Sequence, residues 1–240
     1  MKRQQTIAIS ILCLCWALLA GGCTTTAHKT QSDLALRQDT QKVLLMPMDI
    51  ELSLLSAGGL LEPNAEWTET AKQCVAKSLD NRFSANQIQL LTGDDLRNIE
   101  LTAEQEELKT QLIKLHETVG RSILIHQYID PLKLPNKGGK FDWSLGPDAK
   151  FLHDTYGTDY ALFVYLRDSY ASAGRVMLII AASALGVGIP GGSQIGFASL
   201  VDLHTGDIIW FNRLARPVGD LRNNEAAAES VKVLLTDFPI

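Results

Sequence analysis

Apolar and polar residues fall in blocks along this chain, and the period within each block points to the element it can form. Ile7 to Ala20 carries no charge, and residues 24 to 41 are polar with few large apolar groups. From Val43, VLLMPMDIEL is an apolar run of strand length, the pattern of a strand buried on both faces, with Pro47 marking a nearby edge or end. After the Gly58-Gly59 loop, Asn64 caps a helix with Trp67, Ala71, Cys74, Val75, Ser78 and Leu79 along one stripe. A short strand follows from Ile88 to Leu91 and closes at Gly93. Thr102 and Gln105 form a capping box for a long helix with Leu108, Leu112, Leu115 and Val119 facing inward. That helix runs toward Tyr128 and stops at Pro131; Gly120, which costs about 1 kcal/mol inside a helix, is where it can break. Pro135 to Gly146 is a loop, and Pro147 and Gly157 bracket a short helix with Phe151, Leu152 and Tyr156. The C-terminal third reads as sheet: YALFVYLRDSY from Tyr160, then Ile195 to Leu203, joined to Ile208–Leu214 by the turn His204-Thr205-Gly206-Asp207. A last amphipathic helix carries Ala227, Val231, Leu234, Leu235 and Phe238. The pattern predicts a single α/β domain over residues 42–240, a mixed sheet flanked by helices with a C-terminal β-hairpin plus helix.

The first block has a different purpose. Lys2 and Arg3, an apolar stretch of about a dozen residues and the small Gly21-Gly22 make residues 1–22 an export signal, too short for a stable membrane span. Its end, LAGGC, resembles the lipobox of bacterial lipoproteins, with Ala20 where Leu is commoner and Leu19 one place earlier. The resemblance implies cleavage before Cys23, a diacylglycerol thioether on its sulfur and acylation, palmitate included, of its new amine. Thr24, where Asp would favour inner-membrane retention, implies an outer-membrane, periplasm-facing location. Residues 23–41 then form the lipidated Cys and a flexible tether, reaching on the order of 60 Å when extended and allowing the domain to stand away from the membrane.

Composition narrows the classes. With 46% hydrophobic and 20% charged residues, the 240-residue chain has enough apolar content to fold. A formal charge of −5 offers no basic field for nucleic acid. Loss of Lys2 and Arg3 leaves 20 basic against 27 acidic residues, a net of −7, which also disfavours adhesion to anionic headgroups through a basic patch. Cys13 and Cys15 leave with the signal and Cys23 is lipidated, so Cys74 stands alone on an apolar stripe, a buried structural thiol with no disulfide partner.

The order of elements, with the phrase LVDLHTGDIIWF, resembles the small α/β domains of outer-membrane lipoproteins: the penicillin-binding-protein activators, the curli secretion lipoprotein and the amino-terminal domain of the TolB type. The likeness in layout covers residues 43 to 238, while only Asp202, Thr205, Gly206, Asp207 and Trp210 match in letters. It implies the architecture and an envelope assembly, scaffold or accessory role without enzymatic activity, and carries over no functional residue.

The least ordinary stretch of the mature chain is VMLIIAASALGVGI, Val176 to Ile189. Fourteen apolar or small residues are too few for a transmembrane helix. Three readings stay open: a buried core segment, an exposed apolar segment docking on a partner protein or a sister subunit in a homo-oligomer, or a tip dipping into the lipid leaflet held close by Cys23. Arg175, Ile180, Leu185, Val187 and Ile189 are the candidate contacts. Gly186, Gly188 and Gly191 spell a G-x-G-x-x-G, but a strand-like segment follows where a phosphate-binding helix is needed, so no cofactor is expected. His28, His116, His126, His153 and His204 are scattered without a close-spaced pair, and no metal site is expected. No nucleophile elbow occurs, so no catalytic residue is assigned. Trp143, in the loop Asp142-Trp143-Ser144-Leu145-Gly146, is the candidate glycan contact for the alternative reading, a glycan-binding module or cell-wall-acting enzyme. Arg167 with Asp168, and Asp220 with Arg222, are candidate structural ion pairs.

Overall fold

The computed structural model describes residues 25–30, 40–217 and 219–239, the first of these by backbone alone. The export signal 1–22, Cys23 and positions 31–39 of the tether lie outside the described residues. The strands are β1 (Thr25–Thr30), β2 (Lys42–Leu45), β3 (Asp49–Leu55), β4 (Leu61–Pro63), β5 (Gln89–Leu91), β6 (Tyr160–Ala171), β7 (Gly192–Asp202) and β8 (Ile208–Arg216). The helices are α1 (Ala65–Ser84), α2 (Ala103–Tyr128), α3 (Lys150–Tyr156), α4 (Ala173–Ala184) and α5 (Asn224–Leu234). The strands join in one mixed sheet in the order β1-β8-β7-β6-β2-β5, with β3 beside β6 and β4 beside β3. β2, β3 and β5 run parallel in their pairings with β6 or β2, and β7, β8 and β1 add an antiparallel half. This is the expected α/β architecture.

Two cores follow from the alternation of the central strand. Tyr160, Leu162, Val164 and Leu166 of β6 join Ala71, Val75, Leu79 and Phe83 of α1 and Ala227, Val231 and Leu234 of α5 on one face. Ala161, Phe163 and Tyr165 point the other way, to Leu112 and Ile123 of α2 and Leu152 of α3. A strand buried on both faces therefore reads as an unbroken apolar run. Cys74 lies on the first of these cores, buried.

Pro47 acts as more than an end mark. The four steps from Leu45 to Asp49 face three on β6, from Leu162 to Tyr165, so one residue bulges out around a proline that has no N–H to pair. The apolar run is thereby two strands, with β2 pairing outward to β5 and β3 to β4.

Three expectations are corrected. The long helix is unbroken through Gly120, and its buried stripe is Leu112, His116, Gly120, Ile123 and Gln127, while Leu115 is exposed. Its face is turned by packing that brings Gly120 against the sheet. Arg167 pairs with Asp49 at 2.8 Å, not with Asp168, because successive strand residues point to opposite faces; the Asp220–Arg222 pair does form, also at 2.8 Å. The polar tether is not free along its length: Thr25–Thr30 is an antiparallel edge strand on β8, from Thr25↔Ala215 to Thr30↔Trp210. Hydrogen bonding along an open edge needs no apolar signal, which is why hydropathy does not announce it.

Candidate functional site

Ser172 opens α4 by accepting the Arg175 backbone N–H at 3.1 Å on its hydroxyl, and the chain then makes three turns almost without polar groups. Such a helix is normally enclosed. Here only Ala182 is buried; Met177 is 67% exposed, Ile180 59% and Leu185 83%, with Val176, Leu178 and Val187 also exposed and Ile189 half-buried. The stretch from Val176 to Ile189 is thus neither a strand nor part of the core. At about 1.5 Å per residue, α4 is roughly 18 Å long, against about 30 Å of bilayer hydrocarbon. Among the described residues no helix is long and apolar enough to cross a membrane.

Arg175 is committed to the fold of this region. Its Nη2 and Nε donate to the Pro190 carbonyl at 3.0 and 3.2 Å, tying the end of the apolar loop to the start of the helix. The same guanidinium reaches Ala57 O at 3.5 Å, beside the β3–β4 tip where Leu60 and Leu61 are exposed. Strand directions bring further chain to this end of the sheet. β3 and β6 finish side by side at Leu55↔Ala171, β7 begins at Gly192, and β8 ends at Arg216 opposite Gln194. β1 begins there as well: Thr25 lies beside Ala215, itself beside Ile195. At 4.7–4.9 Å between strands, Thr25 is about 10 Å from Ile195, the fourth residue of β7.

The opposite end of the sheet is polar. Trp143 sits there half-buried, packed on the α2/α3 core, with Lys137 Nζ 4.4 Å above its ring centre and Lys137 held to Asp142 at 2.7 Å. Its indole Nε1 is buried and has no hydrogen-bond partner among the described residues. Lys137 thus covers one face of the ring of Trp143, the candidate glycan contact. The backbone beside it is clasped to the β7–β8 turn, Ile208 N donating to Trp143 O at 2.8 Å and Leu145 N to Gly206 O at 2.8 Å.

The same end gathers a group that spacing along the chain conceals. His204, in the β7–β8 turn, has Nε2 2.7 Å from Asp159 Oδ1, and His153 of α3 has Nδ1 3.7 Å from that oxygen. The two imidazoles lie 4.1 Å apart. Three residues on three elements, separated by up to 51 positions, converge only through the fold. The Asp154 carboxyl beside them is held below the usual range, first by its hydrogen bond from Lys150.

A separate cavity of about 540 Å³ opens outside the carboxyl ends of β2 and β5, between Met46, Leu96, Ile99 and the start of α2. Parallel sheets commonly bind ligands at such a place. Its two cations are already matched, Arg97 with Asp94 and Lys109 with Glu106, each at 2.7 Å. Gly186, Gly188 and Gly191 occupy the loop from helix α4 into strand β7, the reverse of the strand-to-helix order that grips a dinucleotide.

No protein-family model matches this chain, and no curated protein does. Among solved structures, the chain is similar to a PelC dodecamer from Paraburkholderia phytofirmans, at 11% identity and a TM-score of 0.40, over 89% of this chain and 96% of that one. It is also similar to a dodecamer of a PelC variant from the same organism, at 10% identity and a TM-score of 0.38 over the same shares. At these identities and TM-scores, neither activity nor assembly state transfers from those proteins to this chain.

Proposed function

We propose that this protein is an outer-membrane, lipid-anchored component of the cell envelope, non-enzymatic, and that its apolar end lies on the leaflet holding the lipid of Cys23. The periplasmic domain then serves as a scaffold or accessory module of fixed orientation. The observation that carries this reading is the position of Thr25 at the same end of the sheet as α4. Cys23 is two residues earlier, at most about 7 Å by covalent reach. A lipid on Cys23 therefore anchors the domain by the end of the sheet that carries Met177, Ile180 and Leu185 and not at the end of a long tether. Burying a Leu-sized side chain stabilises by roughly 1.5–3 kcal/mol, so a few partly inserted side chains add usefully to an acyl anchor.

The test uses the lipidated full chain in phospholipid vesicles. A fluorophore is attached through Leu185→Cys, and in a second protein through Thr205→Cys at the opposite end; Cys74 is buried and does not compete for label. Acyl-chain nitroxide lipids should quench the first and spare the second. Equal quenching overturns the orientation. A label at 185 shielded from both nitroxide lipid and aqueous iodide also overturns it, and points to a sister copy as the cover. Cys23→Ala should abolish fatty-acid incorporation, and labelled lipid on that variant would remove the anchor.

A further inference from the structure

We infer that His153, Asp159 and His204 form a binding site for one divalent transition-metal ion of the zinc class, at the end of the sheet opposite α4. Each of the three residues offers a donor atom, and these atoms lie within 4.8 Å of one another. Zinc bonds of about 2.0–2.1 Å in a tetrahedral arrangement put ligand atoms roughly 3.4 Å apart. Closing the set therefore takes side-chain adjustments on the scale of an ångström, with the 2.7 Å His204–Asp159 contact opening slightly.

The tautomer of His153 supports ligation. Its Nδ1 lies 2.9 Å from the carbonyl oxygen of Thr158, which can only accept, so Nδ1 donates there and Nε2 is the nitrogen left to ligate. A metal-bound imidazole is oriented in this way, by its other nitrogen donating to a carbonyl. His204 Nε2 donates to Asp159 Oδ1 across 2.7 Å, and a metal ion takes the place of that proton, which leaves to water. The backbone is fixed around all three. Gly157, at φ +65°, turns the chain from α3 toward β6, with its N–H donating to His153 O at 2.8 Å. Leu203 N donates to Asp159 O at 2.8 Å, and His204 N to Asp202 Oδ1 at 2.8 Å. His153, Asp159 and His204 are each about one third exposed as side chains (28%, 32% and 33%), which leaves one side of the group open to water for the remaining coordination positions.

Ligand chemistry selects the ion. Two imidazoles and one carboxylate suit zinc, cobalt, nickel or copper, whereas calcium and magnesium require oxygen ligands throughout. The site lies at the far end from Thr25 and α4, so it is independent of how the protein meets lipid.

The experiment is titration of the full-length protein in detergent, at pH 7.5, with zinc chloride against a chromophoric chelator, followed by cobalt(II) absorption. One equivalent of zinc should bind, and His153→Ala and His204→Ala should each weaken binding at least tenfold. Asp159→Asn, which keeps the shape of the side chain, should weaken it as well and change the cobalt d–d bands. His126→Ala, a histidine elsewhere on the surface, should leave affinity unchanged. Circular dichroism of the variants establishes that they are folded. Absence of a saturable zinc site in the parent protein overturns the assignment, as does parent-like affinity in folded His204→Ala.

Discussion

Gly120, in the middle of α2, faces the ring of Phe197 so closely that a β-carbon on it would lie 2.1 Å from the ring's Cε2. A glycine inside a helix costs about 1 kcal/mol against alanine, and this one admits the helix to within ring contact of the sheet. Phe197 has little freedom to retreat, stacked on Tyr165 at 4.7 Å and Phe211 at 5.5 Å. Gly120→Ala, which should stabilise an exposed helix, is expected to destabilise this protein by about 1–3 kcal/mol through overpacking. Chemical denaturation measures it; a raised midpoint would show that α2 can move off Phe197.

His116 lies one turn before Gly120 on the same buried face, its Nε2 2.9 Å from Ser199 Oγ and its ring between Phe163 and Phe197. Burial pushes its pKa down to about 3, so the folded protein keeps the ring neutral. The unfolded chain binds a proton near pH 6.5. Between those values the unfolded state holds more protons, so this group's contribution to stability is full above about pH 6.5 and lost as pH falls toward 3. The loss proceeds at about 1.4 kcal/mol per pH unit at most. His116→Gln, whose amide can still meet Ser199, should flatten the dependence of unfolding free energy on pH between 4 and 6.5 by one proton. An unchanged slope would mean that the ring titrates while folded.

Asp168 is buried on β6 and its Oδ2 accepts from Tyr170 Oη at 2.5 Å, Gln194 Nε2 at 3.0 Å and Leu221 N at 3.3 Å. Gln194 Oε1 in turn accepts from Ser230 Oγ at 2.8 Å, so the chain of bonds ties β6 and β7 to α5. Burial raises the Asp168 carboxyl above the usual range, against hydrogen bonds that favour its ionised form. Asp168→Ala takes this acceptor from the Tyr170 hydroxyl and the Gln194 amide, at about 1–3 kcal/mol for each left unpaired, while Leu221 N keeps Tyr170 Oη at 3.1 Å. A fall in stability of roughly 3 kcal/mol or more is expected, with a smaller fall for Asp168→Asn, which retains a carbonyl acceptor. Equal losses for the two variants would mean that cavity formation, not lost hydrogen bonding, dominates.

Much of the fold was legible because local causes produce it. The Asn64 and Thr102 caps, the Pro147 and Gly157 brackets and the hairpin across His204 to Asp207 all depend on neighbours within a few residues. The Arg167 partner, the inward face of α2 and the strand at Thr25–Thr30 were not legible, because each depends on a surface supplied from elsewhere in the chain. Trp143 was visible as an aromatic in a polar loop, but whether a lysine would cover its ring was not.

By itself the sequence determined the class of the domain, the buried thiol of Cys74 and the presence of one apolar segment without an evident partner. Hydrophobic period and capping chemistry act over a turn or a strand, so they survive reading in one dimension. Only the tertiary structure decided that this segment is an exposed helix, that Thr25 starts at the same end of the sheet, and that His153, Asp159 and His204 meet at the far end. Those relations arise from strand direction and register in a mixed sheet, which bring distant positions together through pairings that no local pattern encodes.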